Sequence, residues 1–156
     1  MRSIRTLFDQ LHWADRRLYE TLEAAGNPPA AAIRLFDHIL NAERIWLTRL
    51  EGNDSSHLPV WTDPDSLAGM RDRIESLRAG YERFLSGLDD AALDAALEYR
   101  NQSGAPFRST VRDILLHVAL HGQYHRGQIN RLLRGAGLEP INVDYITFDR
   151  MRRENA

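Results

Sequence analysis

Histidines stand at positions 117, 121 and 125 within the stretch Ile114 to Ile129, three of the six in a chain of 156 residues. A recurrence of four puts all three on one narrow face of a helix, because side chains at i and i+4 lie one above the other. Apolar residues surround the first two, so the face is read as pointing inward. Buried imidazoles in such a row either hydrogen-bond to their neighbours or bind a metal. The spacing restricts the second option. His117 and His125 are separated by roughly 12 Å of helix rise, whereas two nitrogens on one zinc-like ion sit no more than about 4 Å apart. The helix therefore offers one adjacent pair, His117 with His121 or His121 with His125, and His121 belongs to both. At least one further protein ligand has to come from elsewhere. The chain has no cysteine, so disulfides and thiolate sites are excluded and the donors are His, Asp, Glu or water.

The bulk composition bounds the setting. Charged residues at 27% and apolar residues at 43% fit a soluble protein folding as one domain over residues 1–156. A net charge of -2 argues against a broad nucleic-acid-binding surface. Asp9, His12, Asp15 and Arg16 interrupt the N-terminal apolar pattern, which excludes a signal peptide. No apolar run approaches the roughly 18 residues of a membrane span. The expectation is a cytoplasmic protein with neither a nucleic-acid nor a membrane partner.

Taken in order, the chain reads as four long helices. Ile4, Leu7, Phe8, Leu11, Leu18 and Leu22 keep helical spacing from about Ser3 to Ala25, with Gly26 as the stop; Trp13 falls off that stripe. Asn27-Pro28-Pro29 is a turn, with Asn27 as cap and Pro28 at the first helical position, before a second helix over about 30–50. There His38 shares a row with Leu35, Ala42, Ile45 and Arg49. Alone it reads as a hydrogen-bonded core histidine, unless the histidine-bearing helix packs against it. His57 lies in a polar connection and is read as solvated. Asp63 as cap and Pro64 as first residue predict a third helix from there to about Ser86. A short helical turn at Asp89 to Leu93 and a small hairpin pairing Leu97–Arg100 with Phe107–Thr110 follow. Thr110 and Asp113 form a cap for the fourth long helix, about Val111 to Arg134, whose first half is apolar on nearly all sides and so predicted to be central. Asn142 or Asp144 starts a short last helix through Arg152, with residues 152–156 frayed. The reading is all-α: a helical bundle.

The run His121-Gly122-Gln123-Tyr124-His125-Arg126-Gly127-Gln128-Ile129 resembles the H-x-x-x-H-R-G-Q signature of the DinB-like (YfiT-like) metalloenzymes. Trp13-Ala14, Phe36 to Glu43, Trp61-Thr62-Asp63, Gly137 to Pro140 and Asp144-Tyr145 fit the same layout, so the resemblance covers essentially the whole chain. It implies a four-helix bundle with a short C-terminal helix, usually a homodimer. It also implies one divalent metal held by a His of the second helix and two of the fourth, here His38, His121 and His125, with His117 left over. The activities it implies are thiol S-transfer, joining a low-molecular-weight thiol to an electrophile, or hydrolysis.

Three imidazoles leave a zinc-like ion an open position, the arrangement of a catalytic rather than a closed site. Zinc is the first choice; nickel, iron and manganese also accept imidazole. Gln128 can orient a histidine, and Asp37 and Glu43 are candidate partners of the ligands. Arg126 is read as a salt-bridge or subunit contact and Tyr124 as packing. No residue is identified as general base, so the catalytic residues are unassigned. Against the enzyme stand a metal-binding stress-related protein without turnover and a bundle kept for oligomeric interaction.

Overall fold

The computed structural model describes residues 1–154. Four long helices, α1 (Arg2–Ala24), α2 (Ala30–Leu50), α3 (Met70–Ser86) and α5 (Val111–Gly135), each pack on two of the others in the cycle α1, α3, α2, α5. This is the expected all-α four-helix bundle. The α2–α5 pair is the most extensive contact. Between α3 and α5 come a single helical turn, α4 (Asp90–Leu93), and an antiparallel hairpin of β1 (Ala96–Arg100) and β2 (Pro106–Thr110). The short C-terminal helix, α6 (Tyr145–Glu154), lies against α1. No described helix is long and apolar enough to cross a membrane.

The helix ends are set by local chemistry. Thr110 accepts the Asp113 amide through Oγ1 and donates to its carboxylate at 2.7 Å, so α5 starts where its cap predicts. Asp89 caps α4 through the Ala92 amide at 2.7 Å. Pro29 rather than Asn27 precedes the first residue of α2, and its carbonyl accepts from Ala32 and Ile33. The third helix is where structure and expectation part. It begins at Met70, not at Pro64. Asp63 pairs with Arg34 of α2 at 3.0 Å instead of capping. Gly69, at φ 72, holds a left-handed turn that no right-handed helix can run through. At the other end α6 includes Arg152, Arg153 and Glu154, which were expected to fray; Asn155 and Ala156 lie outside the described residues.

Two apolar clusters fill the bundle. One gathers Leu18 and Leu22 of α1, Phe36 and Leu40 of α2, Ile74 of α3 and Leu133 of α5. The other gathers Phe8 and Leu11 of α1, Leu50 of α2, Tyr81 of α3 and Leu115 and Val118 of α5. Between them on α1, α2 and α5 lie buried polar residues: His12, Asp15, Glu43 and Arg126. Arg126 Nη2 donates to Asp15 Oδ1 at 2.5 Å and lies 3.9 Å from Glu43 Oε1, all three side chains being 1–2% exposed. Arg126 thus makes the salt bridge read from the sequence, inside the subunit. Gly122 allows it: a Cβ there would come within 2.9 Å of Arg126 Nη1. α5 is central as predicted, packing on α2, α1, β2 and α4, but one side of it stays open. Leu116, Leu120 and Tyr124 are 36%, 68% and 65% exposed, so Tyr124 is not packed in the core. Trp13 meets Phe148 of α6 at 5.6 Å between ring centres.

Candidate metal centre

Packing of α2 on α5 brings His38 beside the histidine row. His38 Nε2 lies 3.3 Å from His121 Nε2, which lies 3.1 Å from His125 Nε2. Ligand atoms of the three fall within 4.8 Å of one another, and among the described residues this is the group of His, Asp or Glu so placed. Nitrogens about 2.0–2.1 Å from one tetrahedral ion sit about 3.3 Å apart, a spacing that the two observed distances would allow. His117 stays outside. Its ring is 5.5 Å from that of His121 and packs on Trp46 at 5.2 Å. Of the two pairs left open by helix geometry, the structure brings the later one together with His38. His57 is exposed in the connection, as read.

The far nitrogens decide what the near ones can do. His38 Nδ1 donates to the Val60 carbonyl at 2.9 Å, and His125 Nδ1 donates to Gln128 Oε1 at 2.8 Å. A neutral imidazole carries one proton. With that proton spent on Nδ1, Nε2 of His38 and of His125 presents a lone pair. His121 Nε2 can donate to only one of them. Three nitrogens with at most one proton among them form a donor set that fits a divalent cation. Burial favours the neutral form and pulls His121 down to about 4, with the neighbouring His125 and His38 adding to the effect. Burial also lowers His38, against the pull of its Val60 bond. Neutral imidazole is the form that ligates.

Gln128 therefore has the orienting role read from its position. Asp37 and Glu43 do not have theirs. Asp37 is bonded by Arg73 at 2.6 Å, by Asn41 at 2.8 Å and by Thr62, which turns it toward α3. Glu43 faces the buried cluster beside Arg126. The partner of His38 comes instead from the connection after α2, where Val60 supplies its carbonyl and Trp61 stacks on the imidazole at 3.7 Å and 3°. A backbone carbonyl leaves no trace in residue type, so Val60 could not have been read. In the sequence Trp61 carries only the family layout and no signal of contact with His38. His12 was also passed over: it sits one turn after Phe8 on the stripe of α1 and is 6% exposed.

The family model of the DinB family matches residues 3–156. Protein DinB of Bacillus subtilis (strain 168) is 29% identical over 118 residues, spanning 71% of this chain and 67% of the relative. The crystal structure of a DinB-like protein from Bacillus cereus ATCC 10987 superposes with a TM-score of 0.70 over 92% of this chain and 97% of that one, at 19% identity. That degree of likeness speaks for the fold.

Proposed function

The chain belongs to the DinB family, and from that premise we propose that His38, His121 and His125 hold one divalent metal ion, zinc first, in a metal-dependent enzyme of the thiol S-transferase or hydrolase type. The observation that carries this reading is the convergence of three Nε2 atoms at 3.1–3.3 Å, two of them deprotonated by what their Nδ1 atoms donate to. An ion held by three neutral imidazoles keeps a position for substrate and acidifies a thiol or water bound there. The chain's own residues do the rest. Gln128 and Val60 hold two imidazoles in register, and Trp61 closes the outer face of His38. With no cysteine in the chain, a thiol nucleophile is a small-molecule cosubstrate. The test is metal analysis of untagged protein with His38→Ala, His121→Ala, His125→Ala and His117→Ala. The first three lose metal and the last keeps it; metal retained in His125→Ala but lost in His117→Ala refutes the assignment. Turnover with a panel of thiols and electrophiles, or of esters and amides, disappears with chelator and returns with metal.

One observation favours a metal-binding protein without turnover: both carboxylates considered near the histidines are committed elsewhere, Asp37 to Arg73 and Glu43 to the buried cluster. Absence of turnover with every substrate class, in protein that binds metal, would select it. A homodimer is also proposed. Leu116, Leu120 and Tyr124 recur every fourth residue on the outer side of α5 and stay exposed, an apolar stripe that a second copy would cover. A monomer mass by light scattering at micromolar concentration would count against it.

A further inference from the structure

Three turns beyond His38 on α2, roughly 16 Å along its axis, Arg49 is only 8% exposed. Its guanidinium lies 4.6 Å from the centre of the Trp46 ring and 5.2 Å from that of Tyr99. Nε donates to Ser55 Oγ at 2.9 Å and Nη2 to Gln102 Oε1 at 2.7 Å. Both acceptors are neutral, and Gln102 is itself fixed by bonds to the Ser55 and Leu58 carbonyls at 2.9 and 2.7 Å. Among the described residues no carboxylate pairs with Arg49, and Nη1 has no partner. Arg126, the more deeply buried arginine at 1% exposure, has Asp15 beside it. Burial works against the Arg49 charge, yet a guanidinium does not lose its proton near neutral pH. A cation held only by neutral acceptors, with Nη1 open to solvent, can take an external anion.

There is room for one. Arg49 lines a cavity of about 600 Å³ together with Arg100, Arg108, Tyr99 and Phe107. Glu98 and Asp54 also line it; Asp54 is engaged by the amide and hydroxyl of Ser56 at 3.0 and 2.6 Å. Glu98, Arg100 and Arg108 alternate to the face of the hairpin opposite Tyr99 and Phe107, so Arg49 is the cation on the side of the two rings. Tyr99 and Phe107 face each other across the hairpin, their rings stacked at 5.9 Å and 21°, and form a flat wall. We infer that this cavity is a binding subsite for the carboxylate or phosphate group of a small-molecule ligand, with Arg49 as the anion-binding fork and the Tyr99–Phe107 wall against the ligand's apolar part. The inference stands whether or not His38, His121 and His125 hold a metal.

The test titrates inorganic phosphate and, separately, succinate into the full chain, following heat by calorimetry and the amide resonances of residues 99–108 by NMR. Saturable binding is expected, weaker at high salt because the contact is ionic. A phosphate preference or a succinate preference each supports the site and names its oxyanion. Arg49→Met, which removes a charge-assisted fork, lowers affinity about tenfold or more. The exposed cross-strand partners Glu98 and Arg108 give a test that leaves the fold alone: Glu98→Gln tightens binding and Arg108→Ala weakens it, each about twofold. His121→Ala leaves both affinities unchanged, which separates this site from the metal centre. No saturable shift at these residues with either probe up to ~10 mM, where the affinity scale falls below about 3 kcal/mol, overturns the inference. So does unchanged affinity in both Glu98→Gln and Arg108→Ala.

Discussion

His38 and Glu43 belong to α2, and His125 and Arg126 are neighbours on α5, yet each pair of residues divides between two different clusters. His38, His121 and His125 meet on the outer side of the helix pair. Glu43 and Arg126 turn inward to Asp15 and His12 of α1. The outer cluster brings together neutral groups of one kind, with lone pairs facing one another at 3.1–3.3 Å. The inner cluster brings one cation to two carboxylates, and leaves both ring nitrogens of His12, both oxygens of Glu43 and Oδ2 of Asp15 without a hydrogen-bond partner. The first arrangement can take a cation without first expelling one. The second already contains its own, and its charges hold α1, α2 and α5 at one level of the bundle. On the same two helices, ligand capacity and helix registry have been assigned to opposite faces.

The contrast breaks most readily at Arg126. Arg126→Met leaves Asp15 and Glu43 buried without their cation and is expected to cost about 3–5 kcal/mol in urea unfolding. His121→Ala, at a half-buried position, is expected to stay within about 1 kcal/mol of the parent. Similar losses for the two would erase the distinction between a structural and a ligand cluster.

The inner cluster should also set how stability varies with pH. Burial, with Arg78 and Arg126 adding to it, lowers His12 from 6.5 to about 3. Its contribution is fully present above pH 6.5 and is lost as pH falls toward 3, because the unfolded chain takes the proton first. Burial, then the adjacent Asp15, raises Glu43 well above 4.5. Its contribution is fully present below pH 4.5 and is lost as pH rises through the elevated value. The two slopes, each at most about 1.4 kcal/mol per pH unit, oppose each other from pH 4.5 up to the elevated Glu43 value or 6.5, whichever comes first, and Asp15, raised by burial, slopes with Glu43. Urea midpoints measured across pH are therefore expected to change little where these slopes overlap and to fall at pH values below 3.8, where neither carboxyl slope remains to oppose His12. His12→Leu shallows the acid limb and leaves the share of His121, which burial lowers to about 4, and Glu43→Gln shallows the descent toward alkaline pH; a profile unchanged in either variant was assigned to the wrong residue.

A smaller effect is expected from Gly122→Ala. Alanine gains about 1 kcal/mol of helix propensity, but its Cβ would sit 2.9 Å from Arg126 Nη1 and would displace a guanidinium packed on every side. A net loss of about 1 kcal/mol is expected in thermal or urea unfolding; a gain would mean that the inner cluster tolerates repacking. Gln128→Ala sharpens the comparison from the other side. Unfolding should change by less than about 0.5 kcal/mol, while zinc affinity, measured by competition with a chelator, drops about tenfold or more.

How much of this could be read beforehand follows from which interactions residue type records. The row at 117, 121 and 125 is legible because helical periodicity and metal–nitrogen distance are both fixed numbers, and together they limit the helix to one pair. The hairpin at 97–110 was legible from turn residues between β-formers. The start of α3 was not: Asp63-Pro64 is a sound helix opening, but the tertiary setting of the connection leaves Asp63 beside Arg34 and puts Gly69 at φ 72, where the helix cannot pass. Asp37 and Glu43 were misassigned for the same reason. Both lie near His38 in the chain, but their directions on α2 are settled by Arg73 of α3 and Arg126 of α5. His38 itself reads as a core histidine until a second helix is placed beside it.

The three imidazoles also differ in how tightly each is anchored. His38 and His125 have their Nδ1 atoms tied at 2.9 and 2.8 Å, and His38 is further pressed beneath an indole. His121 is held by neither kind of restraint, and it is half-exposed. In the terms of coordination kinetics, two arms of the tripod are rigid and one can swing. An ion bound there would enter and leave by way of His121, so the lifetime of the bound ion would be governed by the rotation of that one side chain rather than by any opening of the bundle.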